Sequence, residues 1–136
     1  MDKIKHAKFR EMMTKNKTLI LAGKNAENNE ELVNQAKNSE DILHTASPGS
    51  PFVNIKGRPK KEDVRQAAIF CAAYSKDWKK NKKDVIIHKF KRKDIYKTKE
   101  MDKGTFGVKK FMEIKIKKQE IEKWLQSQIC KYESKG

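Results

Sequence analysis

The chain has little of what would staple, kink or anchor it. Its 136 residues include two cysteines, three prolines and six glycines. Cys71 and Cys130 are too few for a disulfide framework, and a chain of a reducing compartment needs none. Cys71 falls in an apolar helical pattern, where a small buried thiol is the ordinary reading. So few prolines and glycines, with apolar residues in patterned clusters, exclude a disordered chain. No apolar run approaches the length of a membrane span, and the N-terminus "MDKIKHAKFREMM" has no apolar signal segment. The expectation is a cytoplasmic protein with no membrane partner. His6, His44 and His88 are scattered and neither cysteine has a neighbour at metal-motif spacing, which argues against a metal site. Walker loops, nucleophile elbows and dinucleotide fingerprints are missing too. The sequence therefore predicts no catalytic residue, no metal and no cofactor.

Arginine is scarce as well: 29 of the 33 basic residues are lysine, and only Arg10, Arg58, Arg65 and Arg92 are arginine. A lysine ammonium is a point charge that suits phosphate, whereas the arginine fork reads base edges. The composition favours attraction to a backbone over reading of a sequence.

What is present is charge. Charged residues make up 38% of the chain against 36% hydrophobic, with a formal net charge of +15. Residues 1–63 carry 12 Lys and Arg against 9 Asp and Glu, while residues 64–136 carry 21 against 9. A surplus gathered on one half points to a polyanionic partner, nucleic acid first. A lysine- and glutamate-rich thermophilic composition is the competing explanation. Residues 76–99 are the densest part, with 11 basic residues and three acids. If "HKFKRKD" is a strand, Lys89, Lys91 and Lys93 share one face at about 6.5–7 Å spacing, close to the repeat of a nucleic-acid backbone, with Arg92 on the other. A solvated edge strand guarded by lysines accounts for the same pattern.

The length predicts a single domain over residues 1–136, with a core from about 8 to 117 and a C-terminal amphipathic helix at 118–132. Residues 7–14 and 18–22 read as a hairpin. Residues 26–37 read as a helix with Asn25 as N-cap. Residues 41–44 and 52–56 are strand candidates, separated by a Pro48-Gly49 and Pro51 turn. The strongest helix starts near Pro59 and repeats apolar positions from Val64 to Trp78. Residues 85–90 and 105–109 follow as possible partners, then Met112, Ile114 and Ile116 alternate with charges as a half-buried strand. The fold class expected is α+β: an antiparallel or mixed sheet, a central buried helix, and helices packed on one side.

One stretch, "HTASPGSPFVNIKG" at residues 44–57, is nearly uncharged in a lysine-rich chain. Amides exposed at Gly49 and Ser50 could hold a phosphate, and bulky charged side chains would block that approach; a plain Pro-Gly turn that closes the fold is the alternative. His44 is a backbone hydrogen-bonder or a platform for an unpaired base.

In order along the chain, these pieces resemble the RNA-binding R domain of the NFACT family. "AGKNAENNE" at 22–30 matches its turn into the first helix, with Ala22 in place of a glycine. "EDILHTASPGSPFVNIKG" matches an acid, apolar residues, a histidine and a Pro-Gly-Ser turn into a strand. "RQAAIFCAAYS" and "KGTFGVKKF" match its helix and a late strand. The resemblance covers about residues 8–111. It implies that Lys24, Asn25, Asn29, Glu30, His44 and Ser50 gather at one RNA site. Many relatives carry a second histidine after Ser50; here Pro51 and Phe52 take that place. Lys56, Lys109 and Lys110 join Gly49, Lys89, Lys91, Arg92 and Lys93 as further expected RNA contacts. The function expected is RNA binding, with tRNA or ribosomal RNA and through it the ribosome as partners, linked to translation or ribosome-associated quality control. Two rivals follow from the residues: an RNA-modifying enzyme or accessory subunit using His44 and Glu30, and a protein-binding adaptor docking through the 118–132 helix face, which an exposed Trp124 and Leu125 patch would favour.

Overall fold

The computed structural model describes residues 8–135, with side chains through Ile129. The hairpin forms as the sequence predicts. β1 (Arg10–Met13) and β2 (Leu19–Ala22) pair antiparallel across a turn in which Lys17 takes φ 64°. The chain then enters α1 (Ala26–Gln35), where the Asn25 side chain accepts from the Asn28 amide at 2.8 Å. β3 (Asp41–Thr45) and β4 (Val53–Ile55) flank the Pro-Gly turn and pair with each other.

The long helix predicted from Pro59 to Trp78 is two helices, α2 (Lys61–Ala73) and α3 (Lys76–Asn81). Ser75 makes the break. Its hydroxyl donates to the Ala72 carbonyl at 2.7 Å and accepts from the Trp78 amide at 3.1 Å, so it closes one helix and caps the next. The kink returns Trp78 to the core. At the other end, Asp63 accepts from the Lys60 amide at 2.9 Å and from Thr18 Oγ1 at 3.0 Å, which ties the first hairpin to α2.

β5 (Val85–Lys91) ends in a single 3-10 turn, Arg92–Asp94. Lys93 therefore lies off the strand, and the three-lysine face expected on it does not form. Residues 105–109 do not join the main sheet. β7 (Gly107–Val108) pairs with β6 (Ile95–Tyr96), which the sequence pattern did not reveal, in a separate ribbon. β8 (Met112–Ile116) pairs with β5, and α4 (Lys118–Lys135) closes the chain, three residues beyond its expected end.

The main sheet has the order β1-β2-β4-β3-β5-β8, with every neighbouring pair antiparallel. Strand alternation sends side chains to two cores. Ile20, Leu43, Val53, Ile55, Val85, Ile87 and Ile116 meet Ala67, Ala68, Cys71 and Ala72 of α2 and Ile121 of α4. Leu21, Ile42, Phe52 and Phe90 point the other way, to Leu32 and Val33 of α1. The fold is α+β, as expected, but the helices do not all lie on one side. The small α2 alanines let that helix sit close to the sheet; α1 and the β6–β7 ribbon cover the opposite face. Cys71 is a buried free thiol, while Cys130 lies outside the described side chains.

Candidate nucleic-acid interface

The two turn-flanked stretches singled out in the sequence meet at one cleft of about 820 Å³. One wall is the N-terminal end of α1, including Lys24, Asn25 and Asn29. It is fixed by local bonds: Asn28 Oδ1 accepts from the Lys24 amide at 2.9 Å, and Asn29 Oδ1 accepts from the Phe52 amide at 3.2 Å. The second wall is the turn at 45–51. Ser50 Oγ accepts from the Thr45 amide at 3.0 Å, and the Gly49 carbonyl accepts from the Lys76 amide at 2.8 Å. Gly49 holds φ +89°, in the left-handed region that suits glycine. The same bond sets the start of α3, so Lys76 and Lys79 reach the cleft.

The third wall is the loop at 103–106, held against α1 by Glu30. Its carboxylate accepts from the Gly104 amide at 2.8 Å and from Lys97 Nζ at 2.9 Å. Lys97 also donates to the carbonyls of Asp102 at 2.6 Å and Thr105 at 2.7 Å. Burial alone would raise the Glu30 carboxyl; the bonds from Lys97 and Gly104 outweigh it and hold it below the usual range. Glu30 thus positions the loop and does not line the cleft.

The floor is aromatic. His44 and Phe52 pack with ring centroids 4.3 Å apart, and Phe106 meets Phe52 edge-on at 5.3 Å. His88, directly opposite His44 across β3 and β5, stacks on Phe111 at 4.0 Å and 22°. His44 Nδ1 lies 2.8 Å from the Thr45 carbonyl. That oxygen only accepts, so Nδ1 carries the proton and Nε2 is left as an acceptor. Burial, opposed by that hydrogen bond and assisted by nearby His88, lowers the His44 pKa to about 4. The ring is neutral at physiological pH.

Arg10, Lys24, Lys76, Lys79 and Lys103 line the cleft, and no carboxylate does. Arg10 is engaged, donating to the Gly23 carbonyl at 3.1 Å with its guanidinium 4.6 Å from the centre of the Tyr74 ring. The four lysines are exposed and have no ion-pair partner among the described residues. One-signed, unneutralised charge around a concave surface focuses the field on an anion.

The structure thus brings together Lys24, Asn25, Asn29, His44, Gly49 and Ser50, with Glu30 behind them. It separates the other expected contacts. Lys56 donates to Gln35 Oε1 at 2.6 Å and Glu40 Oε1 at 3.0 Å, in a network around the fully buried Asn54. Lys91 pairs with buried Asp41 at 2.9 Å, and Lys89 lies 3.8 Å from the same oxygen. Arg92 Nε donates to the Val33 carbonyl at 2.7 Å. The dense cationic segment is therefore divided: two of its lysines face the cleft and others neutralise acids or cap carbonyls. Lys93, Lys109 and Lys110 are exposed outside the lining. Sequence reasoning missed Lys76, Lys79, Lys103, Phe52, Phe106, His88 and Phe111. Aromatic residues interleaved with lysines in "HKF" and "KKF" were the available signal.

Two further pieces of geometry concern the residues named in the rival readings. Glu30 is bound to Lys97 and Gly104, and His44 Nδ1 to the Thr45 carbonyl, so the two side chains are not paired with each other. Trp124 packs on Phe70 and Tyr74, and Leu125 packs against the main core, so neither forms an open docking patch. Among the described residues no group of three His, Cys, Asp or Glu could hold a metal, and no helix is long and apolar enough to cross a membrane.

A family model described as the NFACT protein RNA binding domain matches residues 8–110. Among solved structures, the C-terminal part of the fibronectin/fibrinogen-binding protein from Streptococcus suis is similar, with a TM-score of 0.73 at 25% identity. The match covers 85% of this chain and 47% of that one, so the chain spans about half the length of its structural relative. No curated protein matches the sequence.

Proposed function

We propose, for a chain that belongs to the NFACT family of RNA-binding domains, that the cleft is its RNA site and that tRNA or ribosomal RNA is the ligand. One observation carries this: a concave, carboxylate-free surface on which four exposed lysines surround a Gly-Ser turn and a capped helix end. The lysines attract the phosphates from a distance. The lean turn then lets the ribose-phosphate chain approach the backbone closely. A role in translation, or in quality control at the ribosome, fits a domain that grips structured RNA without reading a long sequence, and a cytoplasmic location is part of this proposal. On this reading the protein binds RNA and performs no catalysis on it.

A salt titration of tRNA binding tests the proposal. Four lysine–phosphate contacts give a slope of log affinity against log salt of about −3. Duplex DNA competes weakly. An affinity that barely moves with ionic strength, or equal competition by duplex DNA, overturns the reading.

A further inference from the structure

Phe111 is unusual for a large apolar side chain. It is 49% exposed, it follows the exposed Lys109 and Lys110, and it lines the cleft. One face is pinned on His88 at 4.0 Å, close to parallel. The ring is held in place yet leaves much of its surface to solvent, which costs solvation and contributes little packing to either core. A pinned ring loses little conformational freedom when something further stacks on it. The chemistry that such a ring beside free cations accepts is a nucleobase with its phosphate.

We infer that the cleft takes an unpaired RNA nucleotide, its base stacked on Phe111 and its phosphate on the lysines of the same cleft; the inference rests on the RNA reading above. Bases inside a duplex are already stacked on both faces and have none to offer, so the ligand is a loop, bulge or single-stranded end. The His44–Phe52–Phe106 tier supplies an apolar floor to such a base, and the neutral His44 ring presents an acceptor, Nε2, with no partner among the described residues. His88 is the positioning residue, since it sets the plane of Phe111.

The test uses the full chain with two RNA probes, a hairpin carrying 2-aminopurine in its unpaired loop and a blunt fully paired duplex of the same composition. The wild type binds the hairpin more tightly by about tenfold or more, and the 2-aminopurine fluorescence is quenched by stacking. Phe111→Ala removes the quenching and about tenfold of the hairpin affinity, while Phe111→Trp keeps both. Far-UV circular dichroism checks that the variants fold. Equal affinity for duplex and hairpin, or quenching that survives Phe111→Ala, overturns the inference. So does a Phe111→Ala effect on the oligomeric mass alone, which makes the ring a protein contact. If Lys76→Ala/Lys79→Ala weakens both RNAs while Phe111→Ala weakens neither, the RNA reading stands and this inference falls. If neither RNA binds, both fall.

Discussion

His44 packs against Phe52 of the second core, and its chemistry is decided by burial. The ordinary pKa of 6.5 falls to about 4 because the charged ring loses its water, with His88 adding repulsion and the Thr45 carbonyl only partly compensating. Below pH 6.5 the unfolded chain takes up a proton that the folded chain refuses until about pH 4. Stability contributed by the neutral ring is therefore present above pH 6.5 and is lost as pH falls through that window. The expected loss from pH 7 to pH 5 is about 2 kcal/mol, read by urea denaturation, and His44→Phe flattens this dependence. The carboxyls of Glu40 and Glu120, both held below their usual range, add to the loss at still lower pH. RNA affinity above pH 6 is expected to show no pH dependence from His44, since the ring stays neutral there.

At the scale of elements, the cleft is a junction of α1, the β3–β4 turn, the start of α3 and the loop before β7. Gly104 makes a close backbone-to-backbone join with α1. It holds φ +82°, and a side chain there would place its Cβ 2.8 Å from Ala26 Cα, which is backbone and cannot yield. Gly104→Ala is expected to destabilise by about 2 kcal/mol, combining left-handed strain with the collision. It also lifts the loop from α1 and weakens tRNA binding, although Gly104 has no side chain to contact RNA. Denaturant midpoints and a parallel tRNA titration check both effects. A Gly104→Ala variant with wild-type affinity would separate the loop from the site.

For the whole molecule, the net charge of +15 is less informative than where the cations are left free. Lys91 is the nearer of two lysines on the buried Asp41, so Lys91→Ala leaves that carboxylate only the more distant Lys89 and is expected to cost about 1–3 kcal/mol of stability with little change in tRNA affinity. Lys76→Ala/Lys79→Ala is expected to do the reverse. It leaves the denaturation midpoint within about 0.5 kcal/mol of wild type, and it reduces the salt slope of tRNA binding by about 1.5–2. Thermal or chemical denaturation alongside the salt titration distinguishes the two outcomes. The two variants differ by a single charge, so total charge cannot explain such a split.

Local physics settles much of this protein before it folds. Asn25 caps a helix because its short amide reaches back to an amide two or three residues on. Met112, Ile114 and Ile116 make a strand because alternation matches the pleat. The β1–β2 hairpin and the Pro48-Gly49 turn follow from residue types within a few positions of one another. The meeting of 23–30 with 44–50 was expected through family resemblance, not from spacing. What neighbours in sequence could not reveal is which charges find partners. Lys89 and Lys91 look like a phosphate track until β3 brings Asp41 alongside them. Lys76 and Lys79 look like a solvated helix end until Gly49 draws α3 to the cleft. The β6–β7 ribbon and the stack of Phe111 on His88 likewise depend on residues far apart in the chain, whereas the break at Ser75 is made by bonds to Ala72 and Trp78, three residues either side. Hydrogen bonding within a turn acts over a few residues, so it is written in the sequence; neutralisation and stacking act across space, so only the folded chain decides them.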